Sequence, residues 1–203
     1  MKDLNQIIGE WSQNGAVLVL ARVVKTWGSS PRPVGSMMVI NEDQKISGSV
    51  SGGCVEGAVV KKAQALFAQN SAEKLSFGVS DEEAWSVGLS CGGSIEVYLQ
   101  AVDFSLNPVW RTLVKNRESN QSFLLVSDLT KNENSLIEEN GWVTGTSLPP
   151  MLIKEAQLAL EERSHKTLTF EGRNYFIHVF PRKPTLLIIG VAHIAVDLVS
   201  MAH

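Results

Sequence analysis

The run Ala16-Val17-Leu18-Val19-Leu20-Ala21-Arg22-Val23-Val24 constrains the fold more than any other stretch of the chain. It is β-branched and apolar almost throughout, so it reads as a strand buried on both faces. A strand of that kind sits inside a sheet with layers on either side. The expected fold class is α/β, a mixed sheet flanked by helices, with a strand order that pattern alone does not reach. Arg22 interrupts the run, and nothing in the chain approaches the roughly 18 uninterrupted apolar residues of a membrane span.

Around this strand the other elements read in order. Asp3 and Gln6 have capping-box spacing before a short helix whose Leu4, Ile7, Ile8 and Trp11 share a face. Met37–Ile40 and Lys45–Val50 flank Asn41-Glu42-Asp43-Gln44 as a hairpin. Val55, Val59, Ala63, Leu66 and Phe67 form one stripe of an amphipathic helix. A strand is expected near residues 74–79, and Ser80 with Glu83 forms a second capping box before a turn carrying Trp85. Ile95, Val97 and Leu99 alternate with Glu96, Tyr98 and Gln100, the pattern of a half-buried strand. Beyond it come a helix over 109–117, a strand over 122–126, a hairpin over 136–144, a helix over 151–163 and a hairpin over 168–180. His178, in the last of these, reads as a structural histidine.

Two loops stand out chemically. Gly48-Ser49-Val50-Ser51-Gly52-Gly53-Cys54-Val55-Glu56 places a lone thiol at a helix start. Unpaired amides and the helix dipole there favour a thiolate, and Gly52 and Gly53 let backbone N–H groups approach an anion. The other reading of this stretch is a tight turn followed by a buried cysteine. Gly88-Leu89-Ser90-Cys91-Gly92-Gly93 repeats the arrangement, and glycine beside cysteine is an odd choice for filling a core. With the two cysteines far apart and no histidine near either, a structural zinc site is not expected. A third loop, Trp27-Gly28-Ser29-Ser30-Pro31-Arg32-Pro33-Val34-Gly35, offers Arg32 with Ser29 and Ser30 to an anionic group, or leaves a solvated arginine.

Composition narrows the function classes. The 203 residues carry a net charge of −3 with no basic run, which gives no electrostatic footprint for nucleic acid. Two separated cysteines do not make a disulfide framework, and the N-terminus is not a secretory signal, so a cytoplasmic protein is expected. The domain layout expected is a main domain over 1–180, a linker at Pro181-Arg182-Lys183-Pro184, and over 185–203 the first βα unit of an incomplete Rossmann-like domain. Ala192 stands where the second glycine of a dinucleotide fingerprint belongs, and no NAD site is assigned.

The three loops, with Gly35 and Met38 between them, closely resemble the XdhC/CoxI family over residues 10–101. These are accessory proteins of molybdenum hydroxylases such as xanthine dehydrogenase. The resemblance implies a chaperone rather than an enzyme. It would bind molybdenum cofactor, protect it while a cysteine desulfurase installs its terminal sulfur, and deliver it to the apo-hydroxylase. Carried onto this chain, Cys54 and Cys91 would face the molybdenum or carry labile sulfur. Ser51, Gly52, Gly53 and Arg32 would hold the anionic end, with Ser30, Glu56, Gly92 and Gly93 completing the site. A homo-oligomer is expected, built on the apolar C-terminal segment. Two other readings stay open: a cysteine-dependent redox enzyme in which Glu56 assists Cys54, and an interaction protein of the maturation complex that binds no cofactor.

Overall fold

A computed structural model of the protein describes residues 4–28, 30–69, 71–78, 93–190 and 193–202. The central strand is β1 (Val17–Gly28), and its side chains alternate between two different cores. Val19, Ala21 and Val23 point to one face, where Val55, Val59, Ala63 and Leu66 of α2 (Glu56–Gln69) and its entry cover them. Leu18 and Leu20 point to the other face, against Ile8 of α1 (Leu4–Trp11) and residues further along the chain. The stripe expected for α2 is therefore its buried face.

The strands form two five-stranded sheets. The first has the order β3-β2-β1-β5-β4, with β2 at Met37–Ile40, β3 at Ile46–Gly48, β4 at Ala72–Phe77 and β5 at Gly93–Asp103. The second has the order β8-β7-β6-β10-β9, with β6 at Phe123–Asp128, β7 at Glu133–Glu138, β8 at Val143–Gly145, β9 at Lys166–Phe170 and β10 at Arg173–Phe180. The α/β class is as expected. In place of one mixed sheet, however, every pairing among these strands is antiparallel. The reason is connectivity: short hairpins join β2 to β3, β6 to β7, β7 to β8 and β9 to β10, and a parallel pair needs a long crossover instead.

The layers run helix, sheet, sheet, helix. Between the sheets lie Val109, Trp110 and Leu113 of α3 (Pro108–Glu118), packed with Phe123, Leu125, Leu136 and Phe180. Leu152, Ala156 and Ala159 of α4 (Pro150–Glu161) close the outer face of the second sheet. The two sheets also touch directly through Val24, Tyr98 and Phe176. That contact changes β5 from the half-buried strand of the sequence pattern into one covered on both faces, with Tyr98 1% and Gln100 3% exposed. Their polar groups are used inside: Gln100 accepts from the Nη2 of the fully buried Arg22 at 3.3 Å, and the Tyr98 hydroxyl donates to Asn132 at 3.3 Å. Among the described residues Arg22 has no carboxylate partner; its guanidinium lies 5.6 to 5.9 Å from the centres of the Tyr98, Trp110 and Phe176 rings. Burial, against a smaller opposing effect of Tyr98, lowers its pKa to about 10.

The C-terminal segment departs from expectation. Residues 181–190 form no strand, and Leu187 and Ile189 are 80% and 92% exposed. A lone extended segment has no ladder to satisfy its backbone, and among the described residues no strand pairs with this one. It leads to α5 (His193–Ala202), whose Ile194, Val196 and Met201 are also exposed. No helix of the described residues is long and apolar enough to cross a membrane.

The turn out of β3 is sterically committed. Gly48 has φ +86°, and a Cβ there would lie 2.3 Å from the Met37 carbonyl oxygen, a backbone atom that cannot swing aside. Gly48→Ala is expected to destabilise the fold by roughly 2–4 kcal/mol, read in urea as a lower midpoint with an unchanged slope.

Candidate functional site

Sheet register and loop packing bring the motif loops to one end of the first sheet. β1 runs beyond the core to Gly28, which pairs with Gly93 on β5, the last residue of the Cys91 motif. The loop that follows Gly28 then approaches the Cys54 loop: a Cβ placed on Gly52 would lie 3.8 Å from Cβ of Pro31. Motifs that are far apart in sequence thus share one edge. Cys91 and Gly92 themselves lie outside the described residues, as do the Ser80–Glu83 capping box and Trp85.

Within the Cys54 loop the dominant feature is the carboxylate of Glu56. It accepts from six donors: the Ser49 hydroxyl at 2.8 Å, the amides of Val50, Ser51, Gly52 and Gly53 at 3.1, 2.9, 3.1 and 2.8 Å, and the Ser51 hydroxyl. Gly52 and Gly53, with φ of +81° and +120°, allow the successive amides to converge. The Ser51 hydroxyl also accepts from the Val55 amide at 2.9 Å, capping the start of α2. The loop is an anion nest, as its glycines suggest, but the anion in it is the protein's own. The amides of Gly52 and Gly53 therefore face Glu56, and Ser51 is buried, 2% exposed, while Gly52 and Gly53 themselves lie at the surface.

This arrangement changes the part Glu56 can play. Burial pushes its carboxyl up, but the hydrogen bonds from Ser51 and Ser49 more than reverse that, and the pKa falls to about 2. A carboxylate so held is a poor base toward Cys54. Cys54 is exposed at the crest of the turn, and the buried-cysteine reading is corrected accordingly. Across from it, Ser30 donates its hydroxyl to the Arg32 carbonyl at 2.8 Å, so Ser30 shapes its own loop while the Arg32 side chain stays in solvent. Trp27, 71% exposed, stands at the same strand end. Among the described residues no three His, Cys, Asp or Glu side chains cluster to hold a metal ion.

Other groups at the site were not legible in the sequence. The far end of the Arg32 loop is seated on the second sheet, where a Cβ on Gly35 would lie 2.2 Å from Nε2 of His165. His165 accepts from the Val179 amide at 3.1 Å through Nδ1, and its ring meets that of His178 edge-on at 4.8 Å. Nothing in local spacing links Gly35 to residues 165 and 178.

The Glu56 cage has a measurable consequence. Because its folded pKa lies below the ordinary 4.5, the stabilisation it gives is complete above about pH 4.5 and is lost as pH falls toward 2. Glu56→Gln, which turns an NH₂ group onto the same donors, is expected to lose about 2–4 kcal/mol near neutral pH and to lack that acid-side loss. Urea unfolding of both proteins across this pH range measures it.

Residues 11–78 match the XdhC and CoxI family. The chain is 27% identical over 189 residues to a Bacillus subtilis (strain 168) protein named as a probable xanthine dehydrogenase subunit, covering 91% of this chain and 56% of the relative. It is 37% identical over 89 residues to the molybdenum cofactor insertion chaperone PaoD of Escherichia coli (strain K12), covering 43% of this chain and 27% of that protein. A crystal structure described as a xanthine dehydrogenase from Bacillus halodurans superposes with a TM-score of 0.64 at 25% identity, covering 88% of this chain and 53% of the other. The chain thus spans about half the length of the Bacillus relatives. The match to the XdhC and CoxI family thus covers residues 11–78, the part of the chain that holds the Arg32 and Cys54 loops.

Proposed function

We propose that the protein is a maturation factor for a molybdenum hydroxylase, binding molybdenum cofactor at the converged loops, shielding it during sulfuration and passing it to the apoenzyme. The observation that carries this reading is the meeting of the glycine-flanked loops at one sheet end with the Cys54 thiol exposed there. A soft metal centre suits thiolate ligands, and Cys54 and Cys91 are assigned to it. Arg32 is assigned to an anionic part of the ligand, and Gly92 and Gly93 to close backbone approach. Glu56, Ser51, Gly52, Gly53 and Ser30 serve in this reading by holding the two loops in shape. The exposed Trp27 ring offers a flat surface to the pterin.

The similarity to an insertion chaperone and to a protein named for xanthine dehydrogenase supports this class of role. In this reading the protein carries its ligand without turning it over. Its partners are the apo-hydroxylase, a cysteine desulfurase that supplies the terminal sulfur, and a second copy meeting the exposed apolar face of α5. Its setting is the cytoplasm, where thiols stay reduced.

The test is equilibrium binding of molybdenum cofactor to the whole chain under anaerobic conditions. Cys54→Ala and Cys91→Ala are each expected to weaken binding by about tenfold or more while leaving the unfolding midpoint near that of the parent protein. A folded parent protein that fails to bind the cofactor would sink the proposal, and unchanged binding by both variants would remove the thiols from the site.

A further inference from the structure

The loop that carries Arg32 springs from the first sheet but is gripped by the second. Near its outgoing foot, the Val24 carbonyl of β1 accepts from the Thr167 hydroxyl of β9 at 2.7 Å. Its returning foot is a turn from Pro33 to Ser36, closed by the Ser36 amide on the Pro33 carbonyl at 3.1 Å. Gly35, with φ +88°, takes the third position of that turn, where a positive φ is required. Two bonds then tie the turn to β1: the Gly35 amide donates to the Val23 carbonyl and the Val23 amide to the Ser36 carbonyl, each at 2.9 Å.

At Gly35 the grip becomes specific. The space a Cβ would take is filled by one edge of the His165 ring, the edge of Nε2, Cδ2 and Cε1. The His178 ring hydrogen-bonds the Gly35 backbone and meets His165 edge-on. His165 is itself oriented from behind, because its Nδ1 accepts from the Val179 amide of β10 at 3.1 Å. Burial favours the neutral ring, whose proton is then on Nε2. The ring thus has two separable tasks. Its Nδ1 satisfies a strand amide, which serves the fold, while its far edge backs Gly35, which serves only the loop.

We propose that His165 is a positioning residue for the Arg32 loop, fixing Gly35 and thereby where Pro31 and Arg32 stand beside the Cys54 turn. The segment between transmits that placement. Pro31 and Pro33 have restricted φ, and Val34 packs both into the α2 core and against the Val24, Tyr98 and Phe176 cluster. At the near end Pro31 approaches Gly52, as described above. An arginine on a loop already in place binds an anion without the cost of ordering the loop, which a loose loop would pay on binding. This consequence for affinity rests on the cofactor reading above; the placement of the loop does not.

Two substitutions in the whole chain separate the tasks. His165→Asn puts Oδ1 near the place of Nδ1, an acceptor for Val179, but is too short to back Gly35. His165→Phe keeps a ring edge under Gly35 and leaves the Val179 amide without its acceptor. His165→Asn is expected to unfold in urea near the parent midpoint, yet to exchange the Gly35 amide roughly tenfold or more faster and to bind molybdenum cofactor about tenfold more weakly. His165→Phe is expected to unfold at a lower midpoint, yet to keep Gly35 protected and the cofactor affinity within about threefold of the parent. Were the ring merely structural, affinity would follow stability and the order of the two variants would reverse. Unchanged Gly35 exchange in His165→Asn, or release of Gly35 in both variants alike, would overturn the proposal. Equal cofactor affinity of parent and His165→Asn would overturn the role in binding and leave the cofactor reading intact. If the folded parent binds no cofactor, that reading falls, and Gly35 exchange in the two variants still upholds or overturns the positioning of the loop.

Discussion

From Leu18 to Val24 the side chains of β1 are all buried, so two layers must find this strand, one on each face. α2 supplies the first and the second sheet with α3 the other. Burial at ~25 cal/mol per Å² of apolar surface favours that closure strongly, and it brings one awkward group in with it. Arg22 cannot leave the strand, and its Nε and Nη1 find no acceptor among the described residues. The surrounding aromatic faces of Tyr98, Trp110 and Phe176 are what make its burial tolerable. The same closure sets the position of the site. Because both faces of β1 are occupied, the strand's free end beyond the bulge at Val23 to Lys25 is where the chain can present loops.

At that end the protein uses its own carboxylate to fold a loop that looks made for an external anion. Six donors on one group, at the first turn of a helix whose dipole favours negative charge, form a preorganised turn that needs no ligand to keep its shape. The consequence for recognition is specific. Amides spent on Glu56 are not available to an external anion, so in the proposed reading charge recognition falls to side chains such as Arg32, while the turn holds Cys54 outward.

Much of the secondary structure was legible because its signals are local. The stripe from Val55 to Leu66 predicts α2 and the face it buries, and the alternation in β5 correctly points Ile95, Val97 and Leu99 toward α2. What the same alternation misjudged was the opposite face, since Tyr98 and Gln100 read as wet until a second sheet covers them. Whether a polar side chain is dry depends on what packs against it from far along the chain, and the Val24 carbonyl, which accepts from the Thr167 hydroxyl at 2.7 Å, is a contact of that sort. The 185–190 run shows the converse: its apolar content reads as a strand, but a strand exists only with a neighbour, and among the described residues it has none. In the candidate site, glycine and cysteine single out the Cys54 loop, whereas the spacing of Ser49, Ser51 and Glu56 fits a ligand cradle and an internal cage equally well.

One short piece of chain links the Cys54 loop to the second sheet. Residues 30–35 leave the neighbourhood of Gly52 at Pro31 and end at Gly35, whose φ of +88° and contact with His165 leave no room for a Cβ. Gly35 also ties this loop to β1, donating its amide to the Val23 carbonyl at 2.9 Å. A displacement of His165 would therefore act on Gly35 at close quarters, and through residues 31–35, which include Arg32 and two prolines, it would reach the contact of Pro31 with Gly52. Prolines restrict the ways such a segment can absorb a shift, so the path from His165 to the Cys54 loop is stiff as well as short.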